Sequence, residues 1–378
     1  MFFPPFCPNP SCPCHHAGCQ PARWYYRRGS YHTGAFGSVP RFTCRACGCS
    51  FSRQTFRLDY HVKKPVCYHF LKDALKRGGG LRSIGRDLGI SHQAVANRFG
   101  RLARQGLAIT AETLGSPRFR LKEDIVADGF ESFVADKWQP NNIHLLVGAD
   151  SQSLYEFDYA HLRRKGRMTD EQKRQRSLRE KKYIRARVSI SESFTRLLKC
   201  AIRHIENRAA CRVLLFTDEK QEYRLLVDSD EYLQHLRRRE QFAHICISSK
   251  LPRTTANLLF PVNYLDRQLR KDNANYVRET VQYSRSVNNC LERMAVYQLH
   301  HNFCKHYRVN DRQKRELRHA EVAGVDREVI DRELEGIYGW RKFFSKARLS
   351  LSQLLVWTRM VGNLDRPDGG YKPQYIFM

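Results

Sequence analysis

Seven of the thirteen cysteines crowd into the first part of the chain, at Cys7, Cys12, Cys14, Cys19, Cys44, Cys47 and Cys49. A segment this short has too little apolar surface for a core of its own and needs a staple. Cys7 and Cys12 form one close thiol pair, Cys44 and Cys47 another, and the chain between them is long enough for a hairpin. Gly48 permits the tight backbone that the second knuckle would need around a metal. The spacing predicts a zinc ribbon over residues 1–64, with Zn²⁺ on Cys7, Cys12, Cys44 and Cys47; Cys14, His15, His16 and Cys19 are rival ligands for the first pair. The other six thiols, Cys67, Cys200, Cys211, Cys246, Cys290 and Cys304, are scattered. That distribution fits a reducing compartment better than a disulfide framework.

What such a ribbon serves is constrained by charge. Lys and Arg number 66 against 38 Asp and Glu, a formal net charge of +28, while 42% of the residues are hydrophobic. The apolar content is too high for a disordered basic tail, so a folded body must carry a field that calls for a polyanion. Nucleic acid and an anionic membrane are the candidates. No basic amphipathic segment carries a large apolar face, no apolar run reaches about 18 residues, and the N-terminus lacks a basic leader. The expectation is a cytoplasmic, nucleoid-associated protein with double-stranded DNA as partner and no membrane.

Residues 65–116 read as helix-turn-helix. Leu81, Ile84 and Leu88 share one helical face, Gly89 ends that helix, and Ser91 is a good N-cap for the next. A second helix of this kind enters the major groove, which makes His92, Gln93, Asn97, Arg98 and Arg101 candidates for DNA contact. From Pro117 the pattern alternates strands and helices through residue 310. Ile125–Phe130, Ile143–Gly148, Leu154–Tyr159, Val213–Phe216 and Phe242–Ile247 read as strands, and Glu222–Glu240 as one helix. A basic stretch inserted near 160–190 holds Arg163, Arg164, Lys165, Arg167, Lys181 and Lys182; it reads either as a solvated helix face or as a DNA clamp, since clustered Lys and Arg can replace the counterions of several phosphates. Residues 311–378 read as charged and helical, with an apolar segment at Leu351–Trp357 and a loop at 366–370.

Three carboxylates occupy positions that core economy disfavours. Asp128 is in phase with Val126 and Phe130 in a strand, Asp218 follows the apolar run Val213–Phe216, and Glu292 shares a helical face with Ala295, Val296 and Leu299. Burying a carboxylate costs several kcal/mol without compensation, and a divalent cation would compensate all three. Two such ions can activate a nucleophile and stabilise a leaving oxygen at one phosphorus. Glu123, Asp124, Glu131, Asp150, Glu219 and Glu279 are nearby rivals.

The cysteine pairs, the helix-turn-helix and then Asp128, Asp218 and Glu292 in that order resemble a bacterial insertion-sequence transposase of the DDE type. The stretch Asn288-Asn289-Cys290-Leu291-Glu292-Arg293 is similar to the Glu-Arg helix that supplies the third acid in part of that group. The resemblance spans about residues 7 to 307. It implies an α/β fold with an RNase H-like catalytic domain, Mg²⁺ or Mn²⁺ on Asp128, Asp218 and Glu292, and a homodimer or higher homo-oligomer on paired element ends. It further implies cleavage that frees a 3′-OH, followed by attack of that 3′-OH on a target strand. A DNA-binding regulator derived from a transposase and a two-metal nuclease without strand transfer are the alternatives.

Overall fold

The computed structural model describes residues 2–16, 24–182, 188–308, 316–361 and 374–377. The chain is mixed α/β and builds two sheets. After a short turn of helix, α1 (Pro13–His16), the strands β1 (Tyr25–Thr33), β2 (Gly37–Cys44) and β3 (Ser50–Ser52) form an antiparallel sheet in that order, closed by α2 (Arg53–Phe56). Trp24, Phe42, Phe51 and Phe56 pack with Cys7, Cys12 and Cys44 into a small core, and Phe343 from the far end of the chain joins it. Aromatic rings thus do for this segment what aliphatic bulk cannot do at its size.

Three helices follow: α3 (Tyr68–Lys76), α4 (Leu81–Leu88) and α5 (His92–Glu112). Gly89 ends α4 at φ +59°, and Ser91 caps α5 by accepting the Ala94 amide at 3.1 Å. Gly85 is required for the turn to close, because a Cβ there would lie 2.7 Å from the Ile90 carbonyl oxygen. The predicted turn is therefore present. The second helix differs from the expectation in length: it runs to Glu112 because its later turns are core, packed along a helix near the other end of the chain.

The large sheet has the strands β4 (Ile125–Phe133), β5 (Pro140–Gly148), β6 (Leu154–His161), β7 (Val213–Asp218) and β8 (Phe242–Ile247) in the order β6-β5-β4-β7-β8. β4, β5 and β6 are antiparallel neighbours, while β7 pairs parallel with both β4 and β8. All five predicted strands form. Between β6 and β7 lie α6 (Asp170–Lys182), with no buried side chain among its described residues, and α7 (Ile190–Glu206), which packs on β5 and β6. The helix expected over Glu222–Glu240 is two, α8 (Gln221–Ser229) and α9 (Glu231–Arg238). Asp230 breaks it by accepting the Leu233 amide at 2.9 Å, a side-chain cap competing with the continued helix.

After β8, α10 (Phe260–Asp272) lies against β4 and β5, and α11 (Val287–Phe303) runs along α5. The short helices α12 (His319–Val322) and α13 (Arg327–Leu334) and then α14 (Leu351–Trp357) complete the described chain. One apolar core extends from Leu58 to Ile376, so α3–α5 and the C-terminal helices share packing with the large sheet.

Two stacked histidines pin α11 and α12 to the turn after β5. The His301 and His319 rings lie 3.9 Å apart; His301 Nε2 donates to the Gln152 carbonyl at 2.8 Å and His319 Nδ1 to the Ser151 carbonyl at 2.7 Å. Both are fully buried, and burial lowers both pKa values, that of His319 to about 4. The unfolded chain binds protons near pH 6.5 that the folded chain refuses, so the stability from these rings is full above pH 6.5 and is lost as pH falls toward 4. Each ring costs about 1.4 kcal/mol per pH unit in that window. We expect the urea midpoint to fall between pH 7 and pH 5, and His319→Asn, which keeps a donor without the titration, to flatten that dependence. An unchanged slope would refute the assignment.

Candidate functional site

The four thiols singled out for zinc converge. Cys7 Sγ lies 3.6 Å from Cys47 Sγ and Cys12 Sγ 3.7 Å from Cys44 Sγ, and all four sulfurs fall within 4.8 Å of one another. A tetrahedron with Zn–S bonds of about 2.3 Å has edges of about 3.8 Å, so the spacing fits that ion without rearrangement. Backbone turns hold each pair: the Cys7 amide donates to the Cys14 carbonyl, and Gly48, at φ +69°, donates to the Cys44 carbonyl at 3.0 Å. The rivals are engaged elsewhere. His15 uses Nδ1 on the Cys7 carbonyl and Nε2 on Ser345 Oγ, and His16 uses Nε2 on the Pro10 carbonyl. Cys14 is buried in the small core, and Cys19 lies outside the described residues. Three of the four ligands are buried and Cys47 is exposed.

The acidic site is built by strand register. β4 and β7 pair Ile125 with Leu215, Val126 with Phe216 and Ala127 with Thr217, so the next residues on each strand are Asp128 and Asp218. Two carboxylates are thereby set side by side at the carboxyl end of β7. Like charges so placed need a cation, and Lys220 supplies one: its Nζ lies 3.1 Å from Asp218 Oδ2 and 3.7 Å from Asp128 Oδ1. Burial raises the Asp128 carboxyl pKa, Lys220 pulls it down and Asp218 pushes it up.

A further acid, Asp266, lies within the field of this pair, whereas Glu292 is engaged elsewhere. Asp266 projects from α10, the helix laid across β4 and β5; burial and then the charge of Asp128 raise its carboxyl far above the usual range, against the pull of Arg270. Its Oδ1 is buried and accepts no hydrogen bond among the described residues. Glu292 faces the other way, toward α5. Its Oε1 accepts from Arg359 Nη1 at 2.5 Å and lies 3.7 Å from Arg104 Nη2, close enough to α5 that a Cβ on Gly100 would meet it at 2.7 Å. The reason is that α11 is buried around nearly its whole circumference, so an inward phase did not determine which neighbour the side chain would meet. The same helical phase identifies Asp266, which falls between Val262 and Leu269 at i+4 and i+7 on an apolar stripe. Two rivals serve structure: Glu123 accepts the Asp150 and Ser151 amides, and Asp124 accepts the Leu214 amide.

The proposed DNA contacts divide. His92 and Gln93 are exposed at the start of α5, and Asn97 is half-buried, its Oδ1 accepting from Gln93. Arg98 and Arg101, in contrast, are buried. Arg98 donates to the Ala94 and Lys64 carbonyls, and Arg101 donates to the Leu58 carbonyl at 2.8 Å beneath the Tyr375 ring. The length of α5 explains it: beyond its first turns the helix is inside the protein. Arg82 and Arg86 on α4 are exposed in their place and border a groove with His92. In the basic stretch Arg163, Lys165, Arg167 and Lys181 are exposed, with Arg163 paired to Glu180 at 3.1 Å, and Arg164 stacks on Trp138. The Lys182 side chain and residues 183–187 lie outside the described residues, as does the loop at 366–370.

No family model matches the chain, and no curated protein matches it. Among solved structures, a chain of the simian T-cell lymphotropic virus intasome in complex with the PP2A regulatory subunit B56 gamma is similar at 16% identity with a TM-score of 0.27, over 56% of this chain. The match spans 58% of that chain's length.

Proposed function

We propose that this protein is a DNA transposase of the DDE type, with an RNase H-like catalytic domain behind a zinc ribbon and a helix-turn-helix, acting as a homodimer or larger assembly on double-stranded DNA. The observation that carries the reading is the register that sets Asp128 beside Asp218, with the Asp266 carboxyl within the field of Asp128. The sheet order β6-β5-β4-β7-β8 supports the fold part of it. Carboxylate oxygens are the donors that Mg²⁺ or Mn²⁺ takes, and Asp266 Oδ1 is buried with no hydrogen bond among the described residues. When bound, such an ion supplies the activation of the attacking oxygen and the neutralisation of the leaving one.

The chain's own residues do the rest. Lys220 neutralises the pair in the free protein, and its ammonium would be free to meet a phosphate oxygen if a divalent cation took its place on the two carboxylates. Arg270 and Arg253, which oppose the charge on Asp266, position the strand that carries the scissile phosphodiester. His92, Gln93, Arg82 and Arg86 form the face that engages the duplex.

The test is incubation with Mg²⁺ and DNA carrying the protein's own gene with its flanks. Cut ends joined covalently to a target plasmid support transposition; cleavage without joining indicates a nuclease, and binding alone a regulator. The assignment of the third acid has its own check. Asp266→Asn is expected to lower cleavage by roughly a hundredfold or more without lowering the urea midpoint, since burial already disfavours the charged carboxylate that asparagine cannot form. Glu292→Gln is expected to cost about 3 kcal/mol of stability by stranding Arg104 and Arg359, and to leave the metal dependence of residual activity in place. The reverse pattern would return the role to Glu292.

A further inference from the structure

A cleft of about 1410 Å³ opens at the end of β4 beyond Asp128. Its wall includes Glu131 and Phe133, which continue β4 beyond Asp128, and Glu222, two residues after Lys220. At about 3.3 Å per residue, Glu131 sits roughly 10 Å along the strand from Asp128. The volume exceeds the roughly 300–1,000 Å³ of a small-molecule pocket and is open on one side. Cations reach it from separate elements: Arg163, Arg164 and Lys165 from the segment after β6, Arg179 from α6, and Arg278 from the segment between α10 and α11. Arg163 and Arg179 are paired with Glu180 and Asp136, whereas Arg164, Lys165 and Arg278 have no carboxylate partner among the described residues. Within this basic wall stands an indole, Trp138, half-buried on the β4–β5 turn, with the Arg164 guanidinium 4.3 Å from its ring centroid.

Resting on the proposed nucleic-acid chemistry of the acids, we infer that this cleft receives an unpaired DNA strand at the scissile site, with a base stacked on Trp138 and its phosphates on Arg164, Lys165 and Arg278. A duplex keeps its bases stacked inside and offers a protein phosphates and groove edges, so it has no use for an indole in a concave basic wall. An unstacked base does, and a cationic groove with an aromatic platform is the arrangement that holds single strands irrespective of sequence. Arg164 belongs to the same device: its guanidinium keeps the indole in place and, beside it, meets the phosphate that follows the stacked base. Glu131 and Phe133 on the cleft wall and Asp128 share strand β4, so the cleft belongs to the same sheet as the acids.

The test uses the full chain in magnesium-free buffer and two labelled probes, a dT oligonucleotide of roughly 12 nucleotides and a mixed-sequence duplex. Trp138→Ala is expected to weaken single-strand binding by roughly tenfold, Trp138→Phe to retain most of it, and duplex affinity to stay within about twofold for both. Arg278→Gln is expected to weaken the single strand and reduce the salt dependence of its binding. If Trp138→Ala weakens both probes equally the cleft holds duplex, and if it weakens neither, or the native protein ignores the single strand, the inference falls. No cleavage is involved in these readouts. Selective single-strand binding through Trp138 in a protein that cuts nothing would keep the cleft and remove the transposase reading.

Discussion

Asp218→Asn is expected to reduce metal-dependent cleavage by roughly a thousandfold while leaving duplex binding unchanged. The size follows from the several kcal/mol that a bound divalent ion contributes to the transition state, each 1.4 kcal/mol being a factor of ten. The locality follows from position. Asp218 closes β7, its carboxylate is bound to Lys220 and to the Lys220 amide, and the exposed residues of α4 and α5 belong to other elements. Asparagine keeps the acceptor for that amide and removes only the charge. The measurement pairs strand cleavage across a Mg²⁺ titration with mobility-shift binding of the same DNA. Cleavage within about tenfold of the native protein would sink the acidic site as the catalytic centre. Loss of duplex binding in step with cleavage would mean that the substitution had disturbed the fold.

Cys44→Ser is expected to unfold the N-terminal sheet and leave the rest of the protein standing. Structural zinc on four thiolates is worth on the order of 10 kcal/mol of folding free energy, more than aromatic packing in so small a core provides. Cys44 is the last residue of β2 and its sulfur faces Cys12, so its loss opens both the metal polyhedron and the strand end. The larger core, from Leu58 onward, does not include these residues. The checks are metal content, expected to fall from about one zinc per chain to none, and proteolysis, expected to cut within residues 24–56 while residues 58–361 resist. Because Phe343 and Ser345 touch the N-terminal module, a modest loss of protection at that contact is also expected. Full zinc retention in the variant would show that a different ligand set holds the metal.

These two sites were legible to different degrees. The zinc ligands were readable because close thiol pairs are local: a short turn fixes the distance within each pair, and one hairpin brings the pairs together. Asp128 and Asp218 were readable because an acid in an apolar strand is anomalous wherever the strand goes. The third acid was harder. Glu292 and Asp266 each sit on an apolar helical stripe, and periodicity separates inside from outside without saying which inside surface is met. Arg98 and Arg101 illustrate the same limit. Their place early in a helix says nothing of its later turns, and α5 continues as a central core helix and takes them with it.

The sequence by itself determined the local chemistry: a four-thiol cluster, two helices joined by the turn at Gly89 and capped by Ser91, five strands and a large positive charge. Each depends on residues near one another in the chain or on composition. Tertiary structure alone decided which acids share a field. The 90-residue separation of Asp128 and Asp218 (218 minus 128) acquires meaning only because β4 and β7 pair with that same offset, Val126 to Phe216 and Ala127 to Thr217. Likewise the field of Asp128 reaches Asp266, because α10 lies on the sheet, while Glu292 on α11 meets Arg104 and Arg359 instead. Carboxylate–carboxylate and carboxylate–arginine interactions act over a few ångströms, and distances on that scale between remote residues are set by packing.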